Sequence, residues 1–240
     1  MNSFARLYDR LSFDIPYGEM GKRIRGILKD QNIDPKRVLE FGGGTGNLTQ
    51  YLYQEGMVYD FVDVDREMLE IASSKFGGKL HYYHCDIGEF PISGKYDLII
   101  GNLNVVNYLD KKTLEKLFPR FQRALSPGGI FFFDINSPYK LKEIQGNHSF
   151  IYEKDEIFYT WINELGKDYI DYYLDFFVEE ENGLYRRCSE DFTEYIYTID
   201  DMEKLLKESG FSFVKSLDYD KGGPVSDDSL RILFQSNNEY

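Results

Sequence analysis

The sequence predicts an α/β fold: a doubly wound, mainly parallel sheet of seven strands, with a small antiparallel sheet inserted late in the chain and helical residues in front. Three observations predict it. Short apolar runs alternate with helix-spaced segments from 37 to 136. The pattern then changes to strict period-two alternation between 155 and 198. A helix-spaced segment and two further apolar runs follow from 198 to 237. Alternating strands and helices build parallel sheets, whereas period-two runs joined by short turns build antiparallel ones.

Each element has its own justification. Residues 18–30, GEMGKRIRGILKD, place Met20, Ile24, Ile27 and Leu28 on one helical stripe. RVLEF (37–41) is a short buried strand, and NLTQYLYQEG (47–56) reads as a helix closed by Gly56. YDFVDVD (59–65) is a second strand and REMLEIASSKFGG a helix stopped by glycines. LHYYHCDI (80–87) and YDLIIGN (96–102) are the third and fourth strands. KKTLEKLFPRFQRALSPGG is a helix that Pro119 should kink or restart. GIFFFDIN (129–136) is apolar enough for the middle of a sheet covered on both faces.

In the insert, DEIFYTWINEL, YIDYYLDFFVEE and LYRRCSEDFTEYIYT predict about three strands, with a hairpin at EEENGL. Ile170, Tyr172, Leu174, Phe176 and Val178 fall on one face. TIDDMEKLLKESGF is a helix capped by Thr198 or Asp200, and SFVKSLDY with LRILFQSN makes a closing hairpin.

Composition excludes several classes. With 20 Tyr and 19 Phe in 240 residues, a substantial core forms and disorder is excluded. No run approaches the roughly 18 apolar residues of a membrane span. Arg6, Asp9, Arg10 and Asp14 interrupt the N-terminal stretch, so it is not a secretory signal, and a cytoplasmic location is expected. Cys85 and Cys188 give neither a disulfide framework nor a metal spacing. The net charge of −13 argues against nucleic acid as the main partner. Residues 151–200 hold fourteen acids against four bases, which is −10 of that total.

The loop after the first strand, VLEFGGGTGN (38–47), is where an open α/β sheet binds its ligand. A dinucleotide fingerprint starting at Gly42 needs its third glycine at 47, where Asn47 stands. The pattern here is Glu40, Gly42, Gly44, Gly46, each two residues apart. An acidic residue in front of the glycines repels a pyrophosphate and suits a ligand that carries positive charge.

This E-x-G-x-G-x-G loop resembles that of the class I S-adenosylmethionine-dependent methyltransferases. The resemblance extends over about 36–137: FVDVDREML is similar to the family's V-D-x-S-x-x-M-L, with Asp65 in the serine's place, and HCDIGEFP, YDLIIGNLNVVNYL and LSPGGIFFFDIN follow in the family's order. FARLYDRLSFDIPYGEM resembles the lid of a small bacterial subgroup in which Y-D is followed by a second Tyr.

The resemblance implies a Rossmann-like domain over 36–137 plus 199–240, an N-terminal lid over 1–35 and an acceptor-side cap over 138–198. It implies that Asp63 takes the ribose hydroxyls, that Val64 and Met68 pack near the adenine, that Asp86 accepts from the adenine amino group and that the backbone N–H of Ile87 reads the ring. Glu40, Gly42, Gly44 and Gly46 then form the cofactor-binding loop, Gly101 and Asn102 lie near the methionine moiety, and Tyr8 and Tyr17 cover the cofactor. The cofactor so implied is S-adenosyl-L-methionine and its product S-adenosyl-L-homocysteine.

A methyl carried on a sulfonium is already activated, so alignment and water exclusion are the protein's main work in an in-line displacement. A neutral amine needs little base catalysis, which makes a small-molecule amine an expected acceptor. Tyr8 and His148 are the candidate catalytic residues, and His81 and His84 read as structural. No H-E-x-x-H or Cys/His cluster occurs, so no metal is expected. Trp161, Tyr195 and neighbouring tyrosines form either an aromatic, cation-binding acceptor site or simply the buried face of the insert. RNA or protein methylation and non-catalytic cofactor binding stay open as alternatives; the oligomeric state, monomer or dimer, is not specified.

Overall fold

A computed structural model describes residues 4–237. The chain opens with helices α1 (Phe4–Leu11) and α2 (Tyr17–Asp30). The alternating region supplies β1 (Arg37–Phe41), α3 (Thr49–Leu52), β2 (Val58–Asp63), α4 (Arg66–Phe76), β3 (His81–His84), β4 (Tyr96–Gly101), α5 (Lys111–Ala124) and β5 (Leu125–Asn136). The insert is β6 (Ser149–Lys154), β7 (Ile157–Leu165), β8 (Tyr169–Glu179) and β9 (Tyr185–Tyr195). Helix α6 (Ile199–Glu208) and strands β10 (Phe213–Asp218) and β11 (Arg231–Asn237) complete the described residues.

The main sheet runs β10-β11-β5-β4-β1-β2-β3. Strands β1 to β5 pair in parallel, and β11 pairs antiparallel to both β5 and β10. The strand order therefore reverses between β1 and β4, the place where doubly wound sheets open a ligand crevice. Alternate residues feed two cores. Leu39, Phe41, Ile99, Phe131 and Phe133 meet Phe118 and Phe121 of α5 and Leu205 and Leu206 of α6. Val38, Phe61, Leu98, Ile100 and Phe132 meet Ile24 and Leu28 of α2 and Leu69 and Ala72 of α4. Full burial of each large apolar side chain contributes about 1.5–3 kcal/mol, so the middle strands are fixed most firmly.

The inserted sheet runs β6-β7-β8-β9, all antiparallel. Ile170, Tyr172, Leu174, Phe176 and Val178 are its buried row, as the period-two pattern predicts. Helix α1 covers that face: Leu7 joins its core, and the Phe4 and Phe176 rings lie 5.7 Å apart.

Several boundaries differ from the sequence reading. The insert has four strands rather than three. SFIYEK forms β6, which lacks a continuous apolar face because its edge position leaves Ser149, Ile151 and Tyr152 exposed. The helix expected over 47–56 shrinks to one turn, because Tyr53 turns extended and packs on Tyr59. Strand β2 stops at Asp63, since Asp65 caps α4 by accepting from the N–H groups of Glu67 and Met68. Strand β3 stops at His84, and helix α5 runs through Pro119 without restarting. Thr198 caps α6 in a capping box with Asp201.

Candidate active site

The carboxyl ends of β1, β2, β4 and β5 meet at the reversal of strand order, and the glycine loop crosses the first of them. Two of its glycines are required for different reasons. A Cβ on Gly42 (φ 62°) would lie 2.1 Å from Val105 Cγ2, so packing excludes it. Gly44 (φ 57°) also needs the left-handed region, yet no atom lies within 4 Å of where its Cβ would be. Its open side lets a ligand approach the backbone.

Asp63, at the end of β2, holds this loop. Its Oδ2 accepts the Gly44 N–H at 2.7 Å and its Oδ1 accepts the Asp65 N–H at 2.9 Å. Burial raises its carboxyl above the usual range, against the backbone donors that pull it down. Beside it Val64 is 69% exposed, an unusual state for valine, while Met68 and Ile87 are buried. Asp86 is exposed and turns back on its own backbone, with Oδ1 accepting the Gly88 N–H at 2.6 Å.

Glu40 points inward. Its Oε2 accepts from Tyr59 Oη at 2.6 Å and from Thr49 Oγ1 at 2.8 Å. Burial pushes its carboxyl up to about 7, the two hydroxyls lower it, and the Asp63 charge raises it again. Gly101 is small because a Cβ there would strike the Phe41 ring at 2.2 Å. Asn102 is buried: Oδ1 accepts from Tyr219 Oη at 3.1 Å, and Nδ2 has no partner among the described residues.

Helix α1 meets this loop. Tyr8 is half-buried; burial and the neighbouring Tyr17 raise its phenol well above its usual value. Tyr17 is buried and its hydroxyl has no partner among the described residues. Asp9 accepts from Thr45 Oγ1, from Asn47 Nδ2 at 3.0 Å and from Lys75 Nζ at 2.6 Å. The next residue, Arg10, pairs with Glu156 at 2.8 Å, so α1 ties the glycine loop to the insert.

A methyltransferase-domain family model matches residues 38–129. A crystal structure of an S-adenosylmethionine-dependent methyltransferase from Clostridium acetobutylicum ATCC 824 is 34% identical, with a TM-score of 0.90 over 99% of this chain and 98% of that one. The chain belongs to the class I S-adenosylmethionine-dependent methyltransferases. A relative in Geobacillus sp. (strain WCH70), itself named only as a candidate methyltransferase, is 29% identical over 97% of both chains. The sugar N-methyltransferase KedS8 from Streptoalloteichus sp. ATCC 53650 shares the fold at 16% identity and a TM-score of 0.81, covering 100% of this chain and 94% of that one.

The cofactor of this methyltransferase is S-adenosylmethionine, and the residues present fit it. Gly44 leaves an open approach, Asp63 keeps free lone pairs at the strand end, and Asn102 Nδ2 is a buried donor with no partner among the described residues.

Beyond the ends of β4 and β5, the methyltransferase carries a second polar cluster that sequence reasoning missed. Glu194, the one buried acid of 151–200, accepts from Asn104 Nδ2 at 3.1 Å and from Asn136 Nδ2 at 2.8 Å. Lys140 Nζ donates to Asn136 Oδ1 at 2.9 Å, and Arg231 pairs with the fully buried Asp134 at 3.0 Å. Asn107 donates to the Tyr195 carbonyl at 2.8 Å. The signal was present: Asp134 and Asn136 interrupt an otherwise apolar strand, and three asparagines crowd GNLNVVN.

Of the remaining candidates, Trp161 lies on the inner face of the insert, edge-on to Tyr172 at 5.7 Å. His148 is exposed; its Nδ1 meets the Ile144 carbonyl at 2.9 Å and its ring meets Phe150, so the structure does not join it to the cluster. Two open clefts, one beside Leu28 and Met57 and one beside Tyr139 and Val225, contain neither Asp63 nor Glu194.

Proposed function

We propose that this methyltransferase acts on a small-molecule acceptor and that an amine nitrogen is the nucleophile. The observation that carries the reading is the roof. Helix α1 is fastened to the glycine loop through Asp9 and to the insert through Arg10, and so bridges the two. A small molecule fits beneath such a cover, whereas an RNA or a folded protein needs an open face. The net charge of −13 adds to the case against RNA.

Asp63 would bind the ribose hydroxyls, Val64, Met68 and Ile87 would enclose the adenine, and Asp86 would read its amino group. Gly42, Gly44 and Gly46 would let the backbone close on the methionine moiety, with Gly101 and Asn102 across from it. Glu40, ionised, would favour the ligand's positive charge from behind Thr49. Tyr8 and Tyr17 would exclude water from above, and Trp161 and Tyr195 would wall the acceptor side. Bound there, the cofactor supplies a methyl on a sulfonium, which the acceptor's lone pair displaces in line. We further propose that the Tyr8–Asp9 lid marks a subgroup of small bacterial enzymes, supported by the three partners of Asp9.

Calorimetry with S-adenosylmethionine and with NAD tests cofactor choice directly. Methyl transfer from labelled cofactor into a metabolite extract, with Asp63→Ala as control, tests the acceptor class. Label confined to RNA or protein would overturn the small-molecule reading.

A further inference from the structure

Resting on that reading, we propose that the methyl acceptor carries an oxyanion, a carboxylate or a phosphate, held by Arg231 and Lys140 beneath the inserted sheet. Both cations keep unused donors. A guanidinium has five N–H groups and an ammonium three. Arg231 spends one on Asp134 and Lys140 spends one on Asn136 Oδ1. The side chain of Arg231 is 14% exposed and Lys140 is half-buried, so both are largely withdrawn from water, yet their spare donors are not sealed in.

Three carboxylates, Asp134, Glu194 and Asp220, attract these cations, but only Asp134 bonds directly to either one. Glu194 gives one oxygen to each of two asparagine amides and none directly to Lys140. Asp134 uses only Oδ2, for Arg231 and the Asn104 N–H, and its Oδ1 has no partner among the described residues. Two cations therefore flank Asn136, Arg231 paired with it across β5 and β11 and Lys140 bonded to its side chain. Burial and the Arg231 charge push the Lys140 ammonium down to about 8, against the pull of Glu194, Asp134 and Asp220. An oxyanion placed between the two relieves that repulsion and uses the spare donors.

A purely structural role for the pair is disfavoured by where their bonds go. Asp134 and Asn136 both belong to β5, so neither cation reaches the insert directly. The insert is held by Glu194 to Asn104 and Asn136, and by the Tyr195 carbonyl to Asn107. The Arg231 charge pulls the Tyr8 phenol down a little, against the larger upward effect of burial. An acceptor bearing only positive charge would meet Arg231 and Lys140.

The test uses the full chain, cofactor labelled in its methyl, and a metabolite extract of the organism that makes the protein. Products are separated on an anion exchanger at alkaline pH. The expected result is label retained on the exchanger. Lys140→Met and Arg231→Gln should each lower that label about tenfold in dilute extract, with recovery in concentrated extract and unchanged calorimetric affinity for S-adenosylmethionine. A phosphatase that frees the label from the exchanger identifies a phosphate; retention despite the enzyme identifies a carboxylate. Should Arg231→Gln fail to fold, the half-buried Lys140→Met carries the test alone. Label in the unretained fraction, or a Lys140→Met protein that transfers like wild type, overturns the oxyanion. Failure of wild type to bind the cofactor would instead strike the function proposed above.

Discussion

Asp9 of the lid helix and Asn47 of the glycine loop are joined by a 3.0 Å hydrogen bond, and Lys75 closes the triangle with bonds to both. The residue that departs from a dinucleotide fingerprint therefore ties α1 to the glycine loop. Asp9→Asn removes the charge that Lys75 and two neutral donors share. The pair is one-third exposed, so its contribution is discounted to about 1 kcal/mol. S-adenosylhomocysteine should dissociate about five- to tenfold faster from the variant, and the acceleration should shrink at high salt. Equal dissociation rates by stopped flow would remove Asp9 from this role.

Asp63 faces two backbone donors, one on each oxygen. Asp63→Asn turns one of those oxygens into a donor against a donor. The loop should loosen at a cost of about 1–3 kcal/mol, and cofactor affinity should fall about 100-fold with it. Asp63→Ala should lose the affinity equally but leave no opposed donors. Calorimetry on both variants, beside their melting temperatures, separates the two effects; undiminished binding by Asp63→Ala rejects the ribose assignment.

The glycine-loop cluster was legible because its elements are contiguous motifs whose spacing the strand-loop-helix unit dictates. Gly42, Gly44 and Asp63 follow from one β-α-β stretch. The Glu194 cluster was not, because Asn104, Asn136, Glu194 and Arg231 meet only once β9 and β11 come to the end of β5. Ninety residues separate Asn104 from Glu194, and no local rule connects them. Within the insert, alternation identified the buried row of β8 but not β6, whose edge position leaves no buried face to read. Glu40 was found from its place in the motif, yet its inward orientation depends on Tyr59 and Thr49, which periodicity alone does not pair with it.

Glu194 should behave as an anchor for the insert. Glu194→Leu leaves Asn104 Nδ2 and Asn136 Nδ2 buried without an acceptor, at about 1–3 kcal/mol each. The expected signature is faster amide exchange across β8 and β9 with the β1–β2–β4 amides still protected. S-adenosylmethionine affinity should change little. Unaltered exchange in β9 would show that the apolar row of β8 holds the insert without Glu194.

Glu40 makes both stability and cofactor binding depend on pH, and the signs are opposite. Its folded value of about 7 lies above the ordinary 4.5, so the folded state binds the extra proton. Folding stability from this group is therefore fully present below the ordinary value and declines as pH rises toward 7, by about 3 kcal/mol in all. Glu40→Gln should abolish that decline: its melting temperature should exceed that of wild type at pH 8 and match it near pH 5 (about the ordinary value). A cation bound beside the loop favours the ionised carboxylate and lowers its value, so binding should expel up to about half a proton near neutrality. Calorimetric enthalpies of S-adenosylmethionine binding in two buffers of different ionisation enthalpy measure that release. The difference between buffers should vanish in Glu40→Gln, and its persistence there would assign the proton to another group.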